Sequence, residues 1–228
     1  MCGRFTFSRS SRELAEVFRT KRPKGLRPRY NIAPGQDVLT ARYDRGEPVL
    51  ELRNWGWIPS WAKVAKFSPR PINARIEGIS GNRMFRKAVT ENRCLVPADG
   101  FYEWAGRGGG RNPFHITSKS QNWFGFAGLY SEWRGKGEER IGSFAILTCV
   151  SSGNLKGLHG RMPLAFNRAM FAKWLTDQPG NTIEDWTSCA ITDWSVSPVN
   201  PRVNNVRNDD PRCILRTAHQ VNLELFAK

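Results

Sequence analysis

Residues 93–104 read Arg-Cys-Leu-Val-Pro-Ala-Asp-Gly-Phe-Tyr-Glu-Trp. An apolar run, an Asp-Gly pair and an aromatic run spell strand, turn, strand, with the turn at Asp99-Gly100. The same grammar recurs on both sides. Upstream, strands are expected at about 38–43 and 49–58, the second with Leu50 and Leu52 on one face. Asp44-Arg45-Gly46 between them suits a hairpin turn. Tyr30 to Gly35 forms a turn ahead of the first. Downstream, strands fit 113–117, 123–130 and 143–149. The glycines at 106–110, interrupted by Arg107, form a flexible basic tip. They are no phosphate-binding loop, because no Gly-Lys-Ser/Thr follows and no helix opens there. Helices are few. Ser10 to Glu13 can cap one whose apolar face is Leu14, Val17 and Phe18. A second is expected over Met84–Val89. Asn167 is expected to cap a third carrying Met170, Phe171, Trp174 and Leu175. Many short strands with few helices indicate an α+β fold. We expect one domain over residues 1–228, with a curled or barrel-like mixed β-sheet core and a few short helices around it.

Composition narrows the chemistry. The 228 residues hold 35 Lys and Arg against 20 Asp and Glu, a net charge of +15. That charge is the footprint of a polyanion binder, and arginine, which supplies most of it, suits bidentate phosphate contacts. Five cysteines are widely spaced and odd in number, with three histidines to join them. No Cys-x-x-Cys pair exists, so neither a disulfide framework nor a metal site is expected, and no cofactor is called for. The setting reads as an intracellular, reducing compartment, the cytoplasm or a nucleoid. No apolar leader and no membrane-length run is present. Trp55, Trp57 and Trp61 cluster before a proline-broken loop. Core packing accounts for most such residues, but Trp61, beside Ser60 and Lys63, is placed to face solvent and stack on a base.

The chain opens Met1-Cys2-Gly3-Arg4. A small second residue is the usual condition for removing the first methionine. Cys2 then carries a free amine and a thiol on adjacent carbons, both partly deprotonated near neutral pH. Such an aminothiol captures an aldehyde twice, first as an imine and then as a five-membered thiazolidine ring. Otherwise Cys2 is an incidental small residue. While Met1 remains, the Cys2 nitrogen is an amide and no nucleophile. Met1 is then expected to take up part of the space meant for the aldehyde, with Glu103 or His159 in reach of the Met1–Cys2 peptide if the protein removes Met1 itself. Glu103 sits between Tyr102 and Trp104. It is either a desolvated carboxyl tuned toward general-acid work or a strand glutamate facing solvent. His159 is either a proton carrier or a structural histidine. Asn73 is either a ligand for a sugar or a turn residue.

Four stretches together resemble the SRAP family, the SOS-response-associated peptidase domain. They are Met-Cys-Gly-Arg-Phe at 1–5, Asn-Ala-Arg-Ile-Glu at 73–77, Pro-Ala-Asp-Gly-Phe-Tyr-Glu-Trp at 97–104 and His-Gly-Arg-Met-Pro at 159–163. The resemblance implies an abasic-site processing protein of the DNA damage response, whose partner is single-stranded DNA containing abasic sites. It would shield the lesion by crosslinking the ring-opened sugar aldehyde. By the same resemblance Cys2 is the nucleophile and Asn73 positions the amine and the opened sugar. Glu103 drives ring opening and proton transfer, and His159 serves the imine step and crosslink reversal. Arg4, Arg75 and Arg161 hold phosphates, and Asn31, Trp61 and Thr148 are further DNA contacts. An autopeptidase-type hydrolase activity that exposes Cys2, and lyase-like imine chemistry, are implied too. Two other classes share features: an amidotransferase-like hydrolase with an N-terminal cysteine, and a non-covalent single-strand binding module. The first lacks an Asn-Gly oxyanion segment here and gives +15 no role. The second leaves Cys2, Glu103 and His159 dispensable.

Overall fold

A computed structural model describes residues 2–66, 68–106, 112–176 and 183–217. The expectations for Met1 and for the tip at 107–110 lie outside these residues. In chain order the strands are β1 (Phe5–Phe7), β2 (Arg29–Ile32), β3 (Asp37–Asp44), β4 (Glu47–Trp55), β5 (Asn73–Arg75), β6 (Arg93–Ala98), β7 (Gly100–Ala105), β8 (Asn112–Ser118), β9 (Phe124–Arg134), β10 (Arg140–Val150), β11 (Arg161–Pro163), β12 (Ala165–Phe166) and β13 (Trp194–Pro198). The helices are α1 (Ser11–Phe18), α2 (Arg86–Glu91) and α3 (Phe171–Thr176). Short 3₁₀ turns fill several connections.

Five strands close a barrel in the order β4, β3, β6, β9, β10 and back to β4. The closing contact is parallel, Ser143 against Asn54 and Phe144 against Trp55. The β3–β4 hairpin turns on Arg45 and Gly46, whose φ angles of 51° and 86° are the pair that a tight two-residue hairpin turn requires. In β4, Leu50 packs against the core, but Leu52 is 63 % exposed. β5 and β11 pair with β10 outside the ring, and β12 pairs with β9.

A second sheet runs β13-β8-β7-β1-β2. The turn at Asp99 forms as the sequence indicates, but the strands it joins do not pair. β6 lies in the barrel and β7 in the second sheet, against β1. The Asp99 carboxylate makes this crossing. It accepts from Thr6 Oγ1 at 2.5 Å, from the Ser8 amide at 2.7 Å and from Ser8 Oγ at 2.6 Å. The chain is thereby tied to β1. Aromatic rings weld the two sheets. Phe5 packs edge-on against Trp55 at 5.1 Å and Phe126 at 5.6 Å, and Phe101 does so against Phe126 at 6.1 Å.

The helices cover the barrel. Ser10 caps α1 by accepting the Glu13 amide at 3.2 Å, and α1 buries Leu14 and Phe18. Phe18 stacks on Phe171 of α3 at 5.7 Å. α2 begins two residues later than the sequence suggests. Asn167 precedes a 3₁₀ turn and makes no side-chain cap, contrary to expectation. Trp55 and Trp57 are buried, whereas Trp61 is 64 % exposed.

Gly100 faces the His115 ring so closely that an added Cβ would lie 2.1 Å from Nε2. His115 is itself fixed, with Nε2 3.2 Å from Thr6 Oγ1 and its ring 4.9 Å from that of Tyr102. Gly100→Ala is therefore expected to cost about 3 kcal/mol or more by overpacking. A Gly100→Ala midpoint in chemical denaturation equal to wild type would contradict this packing.

Candidate active site

Three separate elements converge on Cys2. β1 delivers it from one side. Tyr102 of β7 donates its amide to Arg4 O at 3.0 Å, which sets Glu103 alongside the N-terminal end of β1. β5 is held on β10 by the pairs Asn73–Ile146 and Arg75–Thr148, and there Asn73 Nδ2 donates to Cys2 O at 2.8 Å. The Asn73 Oδ1 atom is buried and has no hydrogen-bond partner among the described residues.

The electrostatics tie the remaining members together. Cys2 is fully buried, and its Sγ lies 3.8 Å from Arg4 O. Desolvation, and then the charge of Glu103, push its thiol pKa far up. Glu103 is 6 % exposed. Desolvation raises its pKa too, while the charge of His159 pulls in the other direction. The alternative of a strand glutamate in solvent is thus set aside by its burial. His159 lies in the segment before β11, its amide bonded to Leu155 O at 3.0 Å. Its Nδ1 faces the Arg161 backbone amide at 3.0 Å. Nδ1 lies at the same 3.0 Å from Arg161 O, so whether it accepts or donates follows the ring tautomer. Cys2, Asn73, Glu103 and His159, far apart in sequence, therefore share one place.

The residues read as DNA contacts divide into two groups. Arg75 and Trp61 are exposed. Arg4 is half-buried, its Nη1 donating to Asn31 Oδ1 at 2.7 Å and Val203 O at 2.9 Å, with the guanidinium 5.8 Å from the Trp104 ring centre. Arg161 reaches Thr148 Oγ1 at 3.2 Å and forms an ion pair with Glu77 at 2.8 Å. Burial opposes ionisation of Glu77, but the Arg161 bonds outweigh it and hold that carboxyl below its ordinary range. Asn31 and Thr148 are corrections, because both are fully buried and touch no solvent. The Asn31 amide donates to the carbonyls of Val203, Asn205 and Asn208. Thr148 donates to Ala74 O at 3.4 Å. They brace Arg4 and Arg161 from behind.

Three residues of this region were not singled out in the sequence. Trp104 and Asn204, joined by a 2.7 Å hydrogen bond, line a depression of 330 Å³ with Gly3 and Arg4. Glu77 was missed as the partner of Arg161. The period-2 alternation of 73–77 carried that signal, since Ala74 and Ile76 are buried while Asn73, Arg75 and, in the turn after β5, Glu77 are not. Among the described residues no group of three or more His, Cys, Asp or Glu side chains is gathered to hold a metal ion. No described helix is long and apolar enough to cross a membrane.

Residues 1–206 match the family model described as SOS response associated peptidase (SRAP). The chain is 34 % identical over 223 residues to abasic site processing protein YoqW of Bacillus subtilis, covering 94 % of this chain and 99 % of that one. It is 30 % identical over 225 residues to abasic site processing protein YedK of Escherichia coli, covering 94 % and 99 %. To abasic site processing protein HMCES of Gallus gallus it is 29 % identical over 260 residues, covering 94 % and 77 %. The fold is shared with a crystal structure of a protein from Bacteroides thetaiotaomicron, with a TM-score of 0.78, 22 % identity and coverage of 95 % and 100 %.

Proposed function

The chain belongs to the SOS response associated peptidase family, and on that premise we propose that it crosslinks covalently to abasic sites in single-stranded DNA through Cys2. The observation that carries this reading is the Cys2 carbonyl, held by Asn73 beside buried Glu103 and His159. Its relatives bear the name abasic site processing protein, which supports the same substrate.

The chemistry runs in balanced steps. Protonated Glu103 gives its proton to the ring oxygen of the abasic sugar and takes up the proton of the C1′ hydroxyl as the ring opens to the aldehyde, so it ends the step protonated. The Cys2 amine, free once residue 1 is removed, adds to the aldehyde carbon to give a carbinolamine. Loss of its oxygen as water, with a proton from Glu103 or His159, leaves an imine. The thiol sulfur then adds to the imine carbon, its proton passes to nitrogen, and a thiazolidine closes. Asn73 Oδ1, the unfilled buried acceptor, receives an N–H of the Cys2 amine or the sugar hydroxyl. Reversal runs the same path backward with His159 as proton carrier. Release of residue 1 belongs to this site as well, with Glu103 or His159 moving the proton.

A denaturing gel tests the proposal with one abasic and one intact oligonucleotide. A band that survives denaturation with the abasic strand alone supports crosslinking. Retention of both strands under native conditions only, with no surviving band, would establish the non-covalent module instead. Intact mass adds a second readout, since only protein lacking one methionine is expected in the crosslinked band.

The basic surface has its own test. If about four to six phosphates are engaged, log K for single strands should fall with log salt at a slope of about −3 to −4. Removing one contacting cation flattens the slope by about 0.7. Arg75→Ala is the clean variant, since this side chain is exposed. Arg161→Ala also uncovers the Glu77 carboxylate, so its loss of affinity should exceed that of Arg75→Ala. An affinity indifferent to salt would remove the basic surface from the DNA site.

A further inference from the structure

At the other end of β1 from Cys2, Phe7 meets a groove that the chemistry above does not use. Its walls include Leu26, Ile32, Val38, Leu39 and Leu52, and its volume is 190 Å³. A cavity of about 150 Å³ accepts a benzene ring. The groove therefore has room for one aromatic or branched aliphatic side chain. Leu52, 63 % exposed, forms part of its rim. An exposed leucine in the middle of a nine-residue strand, beside an open apolar groove, calls for an occupant.

The surroundings say which kind. The segment 19–29 holds Arg19, Lys21, Arg22, Lys24, Arg27 and Arg29 and no acidic residue. Two of these, Arg27 and Arg29, line the groove itself. Asp209 lies 3.7 Å from Arg27 Nη2 and bonds Arg29, and Asp37 at the groove bonds Asn54 at 3.0 Å. Those two carboxylates leave the six cations in large excess. A nucleobase fits poorly, because its polar edges would find few partners on aliphatic walls. Base stacking also needs an open aromatic face, and the one ring in the lining, Phe7, is buried.

We propose that this groove is a docking site for an acidic peptide of a partner protein, which inserts one apolar side chain while its carboxylates lie along the basic 19–29 segment. The site lies apart from Cys2, so it recruits or retains the protein near a partner without occupying the reaction centre. Its fate is independent of the crosslinking chemistry.

Fluorescence anisotropy tests it with a labelled peptide, Asp-Asp-Glu-Leu-Phe. Two controls are Asp-Asp-Glu-Ser-Ser, which lacks the anchor, and Asn-Asn-Gln-Leu-Phe, which lacks the charge. The first peptide is expected to bind at least about tenfold more tightly than either control. Leu52→Glu and Arg27→Glu, both at exposed positions, are each expected to weaken it about tenfold with the crosslinking gel unchanged. Equal binding of the anchorless peptide would reduce the site to unspecific charge and overturn the proposal. So would undiminished binding to Leu52→Glu, or no binding of any peptide at millimolar concentration. If an intact oligothymidylate displaces the peptide and Leu52→Glu weakens that strand's own binding, the groove belongs to DNA. Concentration-dependent dimers abolished by Leu52→Glu would assign it to a second copy of the chain.

Discussion

Cys2→Ala is expected to yield no heat-stable adduct with an abasic strand, a loss on the order of 100-fold or more in crosslink yield. It should still form an imine that borohydride can trap. The expectation follows from the order of nucleophiles in the site. Burial, and then Glu103, keep the Cys2 sulfur protonated at neutral pH, so the sulfur is not the group that attacks first. The amine opens the reaction, and alanine retains that amine. What alanine lacks is the atom that closes the ring, and an open imine hydrolyses. Cys2→Ser closes only an oxazolidine, whose adduct should decay far faster on heating. A Cys2→Ala adduct that resists heat at wild-type yield would end the thiazolidine mechanism.

Glu103→Gln is expected to slow crosslinking by about 10²- to 10⁴-fold, the usual span of a general acid, with little change in DNA affinity. Glutamine keeps the volume and loses the titrating proton. The pH profile separates this role from a structural one. Desolvation raises the Glu103 pKa, so wild-type activity that depends on its protonated form should decline as pH rises through that raised value. The Glu103→Gln profile should lack that limb. Stability carries the same sign. The folded chain holds a proton that the unfolded chain releases. The corresponding stabilisation is complete below the ordinary carboxylate pKa and is lost as pH climbs through the raised folded value. Glu103→Gln should flatten that dependence. His159→Ala should slow adduct formation or reversal, and combined with Glu103→Gln its cost should fall short of the sum, since both serve one proton path. Wild-type rates in both variants would return these residues to the scaffold.

Local chemistry was legible in the sequence where the signal and its cause lie within a few residues. Arg45-Gly46 announced a hairpin because the turn needs two positive φ angles, and Ser10 announced a cap because the amide it accepts from is three residues away. The site was legible because an aminothiol is rare chemistry at a chain end and because Glu103 stands among aromatic residues. Partnership across the chain was not. The apolar and aromatic runs of 93–104 give two strands but do not reveal that Asp99 hands the chain from one sheet to another, since its ties are Thr6 and Ser8. Asn31 and Thr148 carry polar groups usually met at surfaces, and their burial depends on distant carbonyls, for Asn31 those of residues 203, 205 and 208. Leu50 and Leu52 read as sharing one strand face, and such a pattern shows which side a residue takes, not whether anything covers that side: Leu50 packs on the core and Leu52 is exposed.

The closure of the barrel by β10 sets a clock. Strand Arg140–Val150 touches β4, β5, β9 and β11, so neither the ring nor the shelf that holds Asn73 exists until residue 150 has been made. At about 5–20 residues per second, ribosomal synthesis of that length takes roughly 8–30 s. Throughout that interval the side of Cys2 that Asn73 covers has nothing to hold it in place, and the finished fold then encloses Cys2 completely. An aminopeptidase that trims the nascent chain therefore meets an open substrate early and a closed one late. On the function proposed above, chains that pass the interval untrimmed are left to their own folded site for the cut, and slower translation is then expected to enlarge the share trimmed before folding.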